Sequence, residues 1–190
     1  METLRWLKTQ KGYKLNALVL SSACERGHLE VLRWLRSEGC PWNSDACNSA
    51  AEGGHLEVLR WLRSEGCPWD ALTCDIAARR GNLDMLKYLH ENGCLWSKLT
   101  CSCAAKFGHL DVLKYLHENG CPWGPETWHN AEGWESVREW LKENDCPQEL
   151  DDNDYDSDEY SDEYDEEYSD DYHDYGNDIE EDEVFRFLLR

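Results

Sequence analysis

The sequence predicts an all-α solenoid of about five helix pairs, followed by a disordered acidic tail. Three observations predict it: a sequence unit that returns every 27 residues, a wide apolar arc within each unit, and an abrupt change of composition after Pro147. Units that recur at roughly 20 to 50 residues are typical of repeat folds, in which each unit buries its apolar face only against its neighbours.

The change of composition divides the chain in two. Residues 1–147 contain 20 acidic and 17 basic residues, together with all ten tryptophans and all ten cysteines. Residues 148–190 contain 20 acidic residues against two arginines and few aliphatic side chains. Such a composition cannot bury enough apolar surface to offset the entropy of ordering the chain. We therefore expect a folded repeat domain and a disordered tail.

Four copies of the unit align without gaps. They are GHLEVLRWLRSEGCPW from Gly27, the identical string from Gly54, GNLDMLKYLHENGCLW from Gly81, and GHLDVLKYLHENGCPW from Gly108. A fifth, degenerate copy begins at Gly133, and the chain opens on a partial copy. Atypical end copies are what the caps of a solenoid look like. The expected divisions are a partial cap over 1–15, units 16–42, 43–69, 70–96 and 97–123, and a degenerate cap over 124–147.

Each unit reads as helix, turn, helix, turn. In the second helix the apolar residues occupy more than half the circumference, which indicates packing on two sides, while Glu30 and Arg33 face outward. A glycine follows each of these helices where a left-handed cap is needed, at Gly39, Gly66, Gly93 and Gly120. The first helix, for example over residues 44–52, should begin after an N-cap at Asn43, Asp70 or Ser97 in successive units.

The string AAEGGHLEVL at residues 50–59 resembles the AAxxGHLEVV segment of ankyrin repeats. The family's unit is about 33 residues long, so roughly six residues are missing where its β-hairpin finger would lie. At the positions of the family's TPLH motif this chain has DACN, LTCD and LTCS. The resemblance implies an ankyrin-like solenoid without fingers and without strands.

The units differ mainly in the first helix and the turn after it. In ankyrin-repeat proteins this helix lines a concave recognition surface, so the resemblance implies that a protein partner binds there. Drift at solvated positions would give the same variation. The residues assigned to the partner on this basis are Arg26, Asn48, Ser49, Asp75, Ile76, Arg79, Arg80, Ser102, Lys106 and Phe107.

The cysteines and histidines also follow the repeat. Cysteines recur at the turns and on the first helices, without a paired CxxC arrangement, so we expect free thiols packed in the core and no metal or other cofactor. Cys101 and Cys103, two apart, are the weak alternative signal for metal binding or redox chemistry. The histidines of the Gly-His step, His28, His55 and His109, are expected to cap their helices, because Asn82 replaces them in the third copy. With no catalytic motif present, we expect no enzyme activity.

The tryptophan and tyrosine ladders suggest either inter-repeat packing or base stacking on single-stranded nucleic acid. Nucleic-acid binding needs a basic face, whereas residues 1–147 carry a net charge of −3 and the whole chain −21. We therefore predict inter-repeat packing and no direct contact with nucleic acid.

The tail leaves two interpretations open. Between Asp151 and Tyr175 it carries six tyrosines among acidic residues, and no Lys or Arg lies between Lys142 and Arg186. It is either a solubilising segment or an electrostatic ligand, or nucleic-acid mimic, that sequesters a basic protein with the solenoid as carrier. Its apolar end, VFRFLLR from residue 184, could dock on a partner or on the last helix pair.

Neither a secretory signal nor an apolar run of about 20 residues is present. We expect an intracellular protein, cytoplasmic or nuclear, that does not enter membranes and is a monomer.

Overall fold

The structure is a computed structural model that describes residues 16–148. The chain divides into two units, Met1–Gln148 and Glu149–Arg190. The predicted partial cap over residues 1–15 and the acidic tail from residue 149 lie outside the described residues.

Residues 16–148 form ten α-helices and no β-strand. Their bounds are α1 Ala17–Glu25, α2 Leu29–Ser37, α3 Ser44–Glu52, α4 Leu56–Ser64, α5 Ala71–Arg79, α6 Leu83–Glu91, α7 Lys98–Lys106, α8 Leu110–Glu118, α9 Pro125–Asn130 and α10 Glu135–Glu143. The prediction of an all-helical solenoid without hairpin fingers is confirmed for this part of the chain. No helix of the described region is long and apolar enough to cross a membrane.

The helices lie in two rows. The first helices of successive units, α1, α3, α5, α7 and α9, pack side by side, and the first four of them each contact the second helix of their own unit. Paired alanines make the close approach of the first helices possible, since Ala50, Ala51, Ala77 and Ala78 are fully buried. The second helices fill the space behind them with fully buried leucines such as Leu59 and Leu62. The stack is consequently tighter on the first-helix side.

The turn cysteines fasten the two ends of each unit together. In four successive units the thiol donates to the carbonyl oxygen of the residue before the first helix, as Cys67 does to Asn43 at 3.3 Å and Cys94 to Asp70 at 3.2 Å. Cys146 repeats the contact with Gly124 at 3.7 Å. A thiol is a weak donor that is also a small apolar group. It therefore satisfies the carbonyl without leaving a strongly polar side chain in the core.

The expected caps are found in place. Gly39, Gly66, Gly93 and Gly120 all have φ between 76° and 81°, the left-handed conformation predicted for them. Asn43, Asp70 and Ser97 are the residues before α3, α5 and α7. Ser97 is the one of the three whose side chain accepts a capping hydrogen bond among the described residues, and it forms a capping box with Thr100.

The capping role expected for the histidines is wrong. His28, His55 and His109 make no side-chain cap with their own helices in the described region, although Asn82 does, accepting from the Met85 amide at 3.1 Å. His109 instead reaches back to the preceding unit, where its Nε2 donates to the Arg79 carbonyl oxygen at 2.9 Å. Trp134 takes the same position in the last unit and donates from Nε1 to the Lys106 carbonyl at 3.0 Å. These side chains join neighbouring units.

Contact with the His109 ring explains why position 81 is a glycine. Gly81 has φ +68°, and a methyl group there would lie 2.6 Å from the His109 ring. At the equivalent Gly54, with φ +73°, a methyl group would meet the Asn82 amide at 3.7 Å, which is ordinary contact. The two glycines share a backbone conformation but differ in their neighbour.

This difference gives a matched pair of substitutions. Gly54→Ala should lower the free energy of unfolding by the left-handed strain alone, about 1–2 kcal/mol. Gly81→Ala should cost about 1–2 kcal/mol more, because the His109 ring and its hydrogen bond are displaced as well. Urea denaturation followed by circular dichroism measures both values. Equal losses would contradict the inter-unit role of His109.

Candidate partner-binding site

Each first helix presents one stripe of side chains away from the second row. On α5 the stripe is Leu72, Asp75, Ile76 and Arg79, at the spacing i, i+3, i+4 and i+7 that places residues on one helix face. The opposite side of the same helix is core, with Cys74, Ala77 and Ala78 fully buried. The same register gives Leu18, Ser21, Ser22 and Glu25 on α1, Asp45, Asn48, Ser49 and Glu52 on α3, and Leu99, Ser102, Cys103 and Lys106 on α7.

The structure places the ten predicted partner residues at three depths. Arg26, Arg80, Lys106 and Phe107 are exposed at the ends of their helices, and Phe107 exposes 43% of its surface. Ser49, Asp75 and Arg79 are half-buried. Asn48, Ile76 and Ser102 are buried, with exposures of 8%, 6% and 4%. Partner contact by any of them stays a prediction, and the buried three form the floor between the units.

Two of the floor residues join adjacent first helices. Thr73 donates from its hydroxyl to Oδ1 of Asn48 at 2.6 Å, and the hydroxyls of Ser102 and Thr127 lie 3.3 Å apart. Between them, Thr100 donates to Oδ1 of Asp75 at 2.5 Å. The same link thus recurs at three successive interfaces with Asn, Asp or Ser on the earlier helix. A buried polar group that lacked such a partner would destabilise the fold.

Asp75 is the charged member of this series. Burial raises the pKa of its carboxyl from 3.8 to about 6, against the opposing effect of the hydrogen bond from Thr100, and the nearby Asp70 charge raises it further. A half-buried carboxylate loses solvation that one hydrogen bond does not replace. The first-helix face therefore contains a carboxyl group that titrates near neutral pH.

Charges at the helix ends are connected across the stack. The carboxylate of Glu52 binds two guanidinium groups of the following unit, with one oxygen to Arg79 and the other to Arg80. The Arg79 side chain in this pair is 20% exposed and that of Arg80 52% exposed. Pairs at this level of exposure contribute about 1 kcal/mol or less each. Their clearer effect is to hold the two guanidiniums in place at the end of the stripe.

The far side of the stack is occupied by packing. Turn tryptophans meet the aromatic residue of the next unit edge to face, as in Trp42 with Trp61 at 5.8 Å and Trp96 with Tyr115 at 6.3 Å. Their other faces are covered by side chains of the preceding helix, with Arg36 at 3.9 Å from the Trp42 ring centroid. The predicted inter-repeat packing of these aromatics is confirmed, and this side offers no row of open indole faces within the described residues.

The cysteines are core side chains, as predicted. Nine of the ten are buried, and Cys103 is half-buried on the first-helix stripe. The cysteines of the first helices and those of the turns meet in pairs. Contact with the Cys67 thiol, together with burial, raises the pKa of the Cys47 thiol. The pairs Cys74 with Cys94 and Cys101 with Cys121 repeat this arrangement. Burial raises the pKa of Cys103 to about 11. In residues 16–148 no group of three or more His, Cys, Asp or Glu side chains is placed to hold a metal ion.

Sequence comparison assigns the fold to a family. A family model described as ankyrin repeats (many copies) matches residues 20–63 and again residues 47–90. No curated protein matches the sequence. The helix pairs, the repeated Gly-His step and this match agree, and residues 20–90 consist of ankyrin repeats. Ankyrin repeats generally mediate protein–protein interaction.

Sequence reasoning overlooked two members of the stripe. Leu72 and Leu99 are exposed to 36% and 39%, and each lies on the same helix face as residues that were assigned to the partner. The signal was present, because Leu72 precedes Asp75, Ile76 and Arg79 by three, four and seven residues. It was missed because the assignment depended on variation between units, and the same leucine occurs at this position in two adjacent units.

The Asp75 carboxyl makes stability depend on pH. The pKa of Asp75 is higher in the folded state than in the unfolded chain. Its contribution to the free energy of unfolding is therefore fully present below about pH 4, where the carboxyl is protonated in both states, and is lost as the pH rises through about 6. Asp75→Asn should remove this loss and raise the free energy of unfolding at pH 7.5 by on the order of 1–3 kcal/mol. Urea denaturation between pH 4.5 and 7.5 measures the difference.

Asn48 supplies the control for that experiment. It already accepts from Thr73 as an amide, so Asn48→Asp should introduce at the α3–α5 interface the pH dependence that Asp75→Asn removes at the α5–α7 interface. If Asp75→Asn retains the wild-type pH profile, the carboxyl is solvated in solution and the argument from burial is wrong.

Burial also predicts the reactivity of the thiols. At pH 8 a disulfide reagent such as DTNB should react with the native protein slowly and at Cys103 alone, whereas all ten thiols should react in denaturant. Cys103→Ser should abolish the native-state reaction, and Cys101→Ser should leave it unchanged. Fast reaction of several thiols before unfolding would contradict the core assignment.

Proposed function

We propose that this chain is a non-enzymatic adaptor that binds a protein partner through the stripe of its first helices and the turns after them. Supporting this is the coincidence of two properties on one surface. The stripe and the turns after it are where the units differ, and these turns also carry exposed charged and apolar side chains such as Arg80 and Phe107, whereas the second helices repeat almost unchanged and pack against their neighbours.

The three depths of the assigned residues suggest two different roles, contact with the partner and support of the surface beneath it. Exposed and half-buried residues, with Arg79, Arg80, Lys106 and Phe107 at their centre, would contact the partner. Asn48, Ile76 and Ser102 would set the floor and the spacing of the helices beneath it. Aromatic and arginine side chains contribute most of the binding energy in many interfaces, which makes the ends of α5 and α7 the expected centre.

The acidic tail supports a second candidate. Residues 148–190 carry 20 acidic residues and two arginines, which would attract a basic protein at long range. In that case the solenoid would be a carrier and the tail the binding element. The two candidates differ in their dependence on salt, because exposed carboxylates are screened over about 10 Å at 0.1 M ionic strength.

One experiment separates them. A partner is first recovered by affinity capture from the native cell and identified by mass spectrometry, and its affinity is then measured at low and high salt. Replacing Arg79, Arg80, Lys106 and Phe107 together by alanine should reduce affinity at least about 100-fold. Replacing the exposed second-helix residues Glu30, Glu57, Asp111 and Lys114 by alanine is the matched control and should change it little.

Deletion of residues 149–190 completes the test. If the solenoid carries specificity, the deletion should slow association with a basic partner but preserve most of the affinity at elevated salt. Full binding by the tail alone, with no effect of the four stripe substitutions, would refute the solenoid proposal and support the tail. Circular dichroism melts confirm that each variant is folded.

A further inference from the structure

The stripe differs chemically between its two halves. On α1 and α3, with the caps that follow them, the charged residues are mostly acidic, with Glu25, Asp45 and Glu52 against the single base Arg26. On α5 and α7, counted in the same way, they are mostly basic, with Arg79, Arg80 and Lys106 against the single carboxyl Asp75. A partner that lies along the stack therefore meets opposite charge at its two ends.

The α5–α7 half also has an apolar edge. Leu72 and Leu99 occupy the same position in neighbouring helices, about 8–10 Å apart by the usual spacing of packed helices. Both are exposed, whereas the equivalent positions on α3 and α9 carry Asp45 and Glu126. An exposed leucine alone needs no explanation, but two in register beside variable residues form a surface that a partner can cover.

The opposite edge of this half is basic and aromatic. Arg79 lies seven residues after Leu72, which places it about 10 Å further along the helix, and Lys106 has the same relation to Leu99. Phe107 follows Lys106 and is exposed, and Trp134, also exposed, lies against the adjacent Gly108. Among Arg79, Arg80, Lys106 and Glu52, this edge has three cations and one carboxylate, which pairs with both guanidiniums.

Two features limit what can bind between the edges. The surface between them is formed by Asp75 and Cys103, which are half-buried, and by the buried Ile76, and the Thr100 hydroxyl already binds one oxygen of Asp75. Lys98 lies 4.0 Å from Glu126 and is partly neutralised. The other basic groups of this half, Arg79, Arg80 and Lys106, lie at the opposite end of the helices from the leucines.

From these contacts, and resting on the proposed function, we infer that the α5–α7 half of the stripe binds an acidic peptide segment with bulky apolar side chains. The apolar side chains pack on Leu72 and Leu99, and the carboxylates pair with Arg79, Arg80 and Lys106. Charge complementarity requires a peptide with a negative net charge. The two leucines require apolar side chains as well, because a uniformly acidic peptide would gain little from contact with them.

The experiment selects peptides from a phage-displayed library of random 12-residue sequences on the immobilised full-length chain. The enriched peptides are synthesised and their affinities measured by fluorescence anisotropy. We expect peptides with a negative net charge and at least two bulky apolar residues. Their affinity should fall about tenfold or more in Arg79→Glu/Arg80→Glu/Lys106→Glu, and by a similar factor in Leu72→Ser/Leu99→Ser.

The chain offers matched controls for both substitutions. Leu18 occupies on α1 the position of Leu72 and Leu99, and Arg26 occupies the position of Arg80. Leu18→Ser and Arg26→Glu should therefore leave the affinity of the selected peptides within about twofold. Thermal melts of every variant establish that it is folded.

The outcomes distinguish this inference from the proposed function. Peptides that depend on the stripe but are basic or uncharged would overturn the acidic partner and retain the proposed function. Acidic peptides that are indifferent to Leu72→Ser/Leu99→Ser would overturn the apolar edge. If no enriched peptide is sensitive to any stripe substitution, both the inference and the proposed function fail.

Discussion

Contact between neighbouring units is the constraint on which the rest of this structure depends. A pair of nine-residue helices cannot bury its own apolar faces, and isolated helices of that length are marginal in water. In this chain α3, α5 and α7 are each covered on two sides by the first helices of adjacent units, and the buried alanines Ala50, Ala51, Ala77 and Ala78 allow that close approach. Stability therefore arises between the units and follows a fixed period.

That constraint explains why so much of the unit is repeated. The turn thiol must reach the carbonyl before the first helix, and the threonine must reach the polar residue of the preceding unit. His109 and Trp134 must reach a backbone carbonyl of the preceding unit and pack on a glycine there, Gly81 and Gly108 respectively. Each link joins residues about 24 to 30 positions apart. A change at one end would disturb the other unless both changed together. The positions left free are few, and they lie on the first-helix stripe.

Within residues 16–148 the sequence was sufficient for the helices, their glycine C-caps and the absence of fingers, because these depend on patterns within one unit. Gly39 and its equivalents could be placed from local spacing alone. The role of His109 could not, since its hydrogen bond goes to a backbone carbonyl 30 residues earlier and no local pattern points there. The contact between Cys47 and Cys67 was missed for the same reason, because the 27-residue spacing within each set of cysteines does not give the distance between the first-helix set and the turn set.

For the candidate site, variation between units has a physical limit as a guide. It selects positions on the stripe, whose contact with a partner stays a prediction, but it does not separate exposed positions from those inside the interface between units. Asn48 and Ser102 lie inside the interface between units, where each binds a threonine of the following unit. This position can vary because Asn, Asp and Ser can each make that hydrogen bond. Exposure separates the two kinds, and only coordinates give it.

The same geometry sets the kind of recognition that this surface can perform. Without hairpin fingers, the face available on each unit is one stripe of a nine-residue helix and the turn after it. A surface this small reaches useful affinity only if a few side chains contribute most of it, or if the partner runs across several units. In the proposed function, Arg80, Lys106 and Phe107 would meet the first condition at the ends of α5 and α7, where Glu52 pairs with the Arg80 guanidinium. Because that pairing orders the guanidinium before binding, a partner would lose less entropy in contacting it than in contacting an unpaired side chain, and the α5–α7 half would be the anchor of the complex.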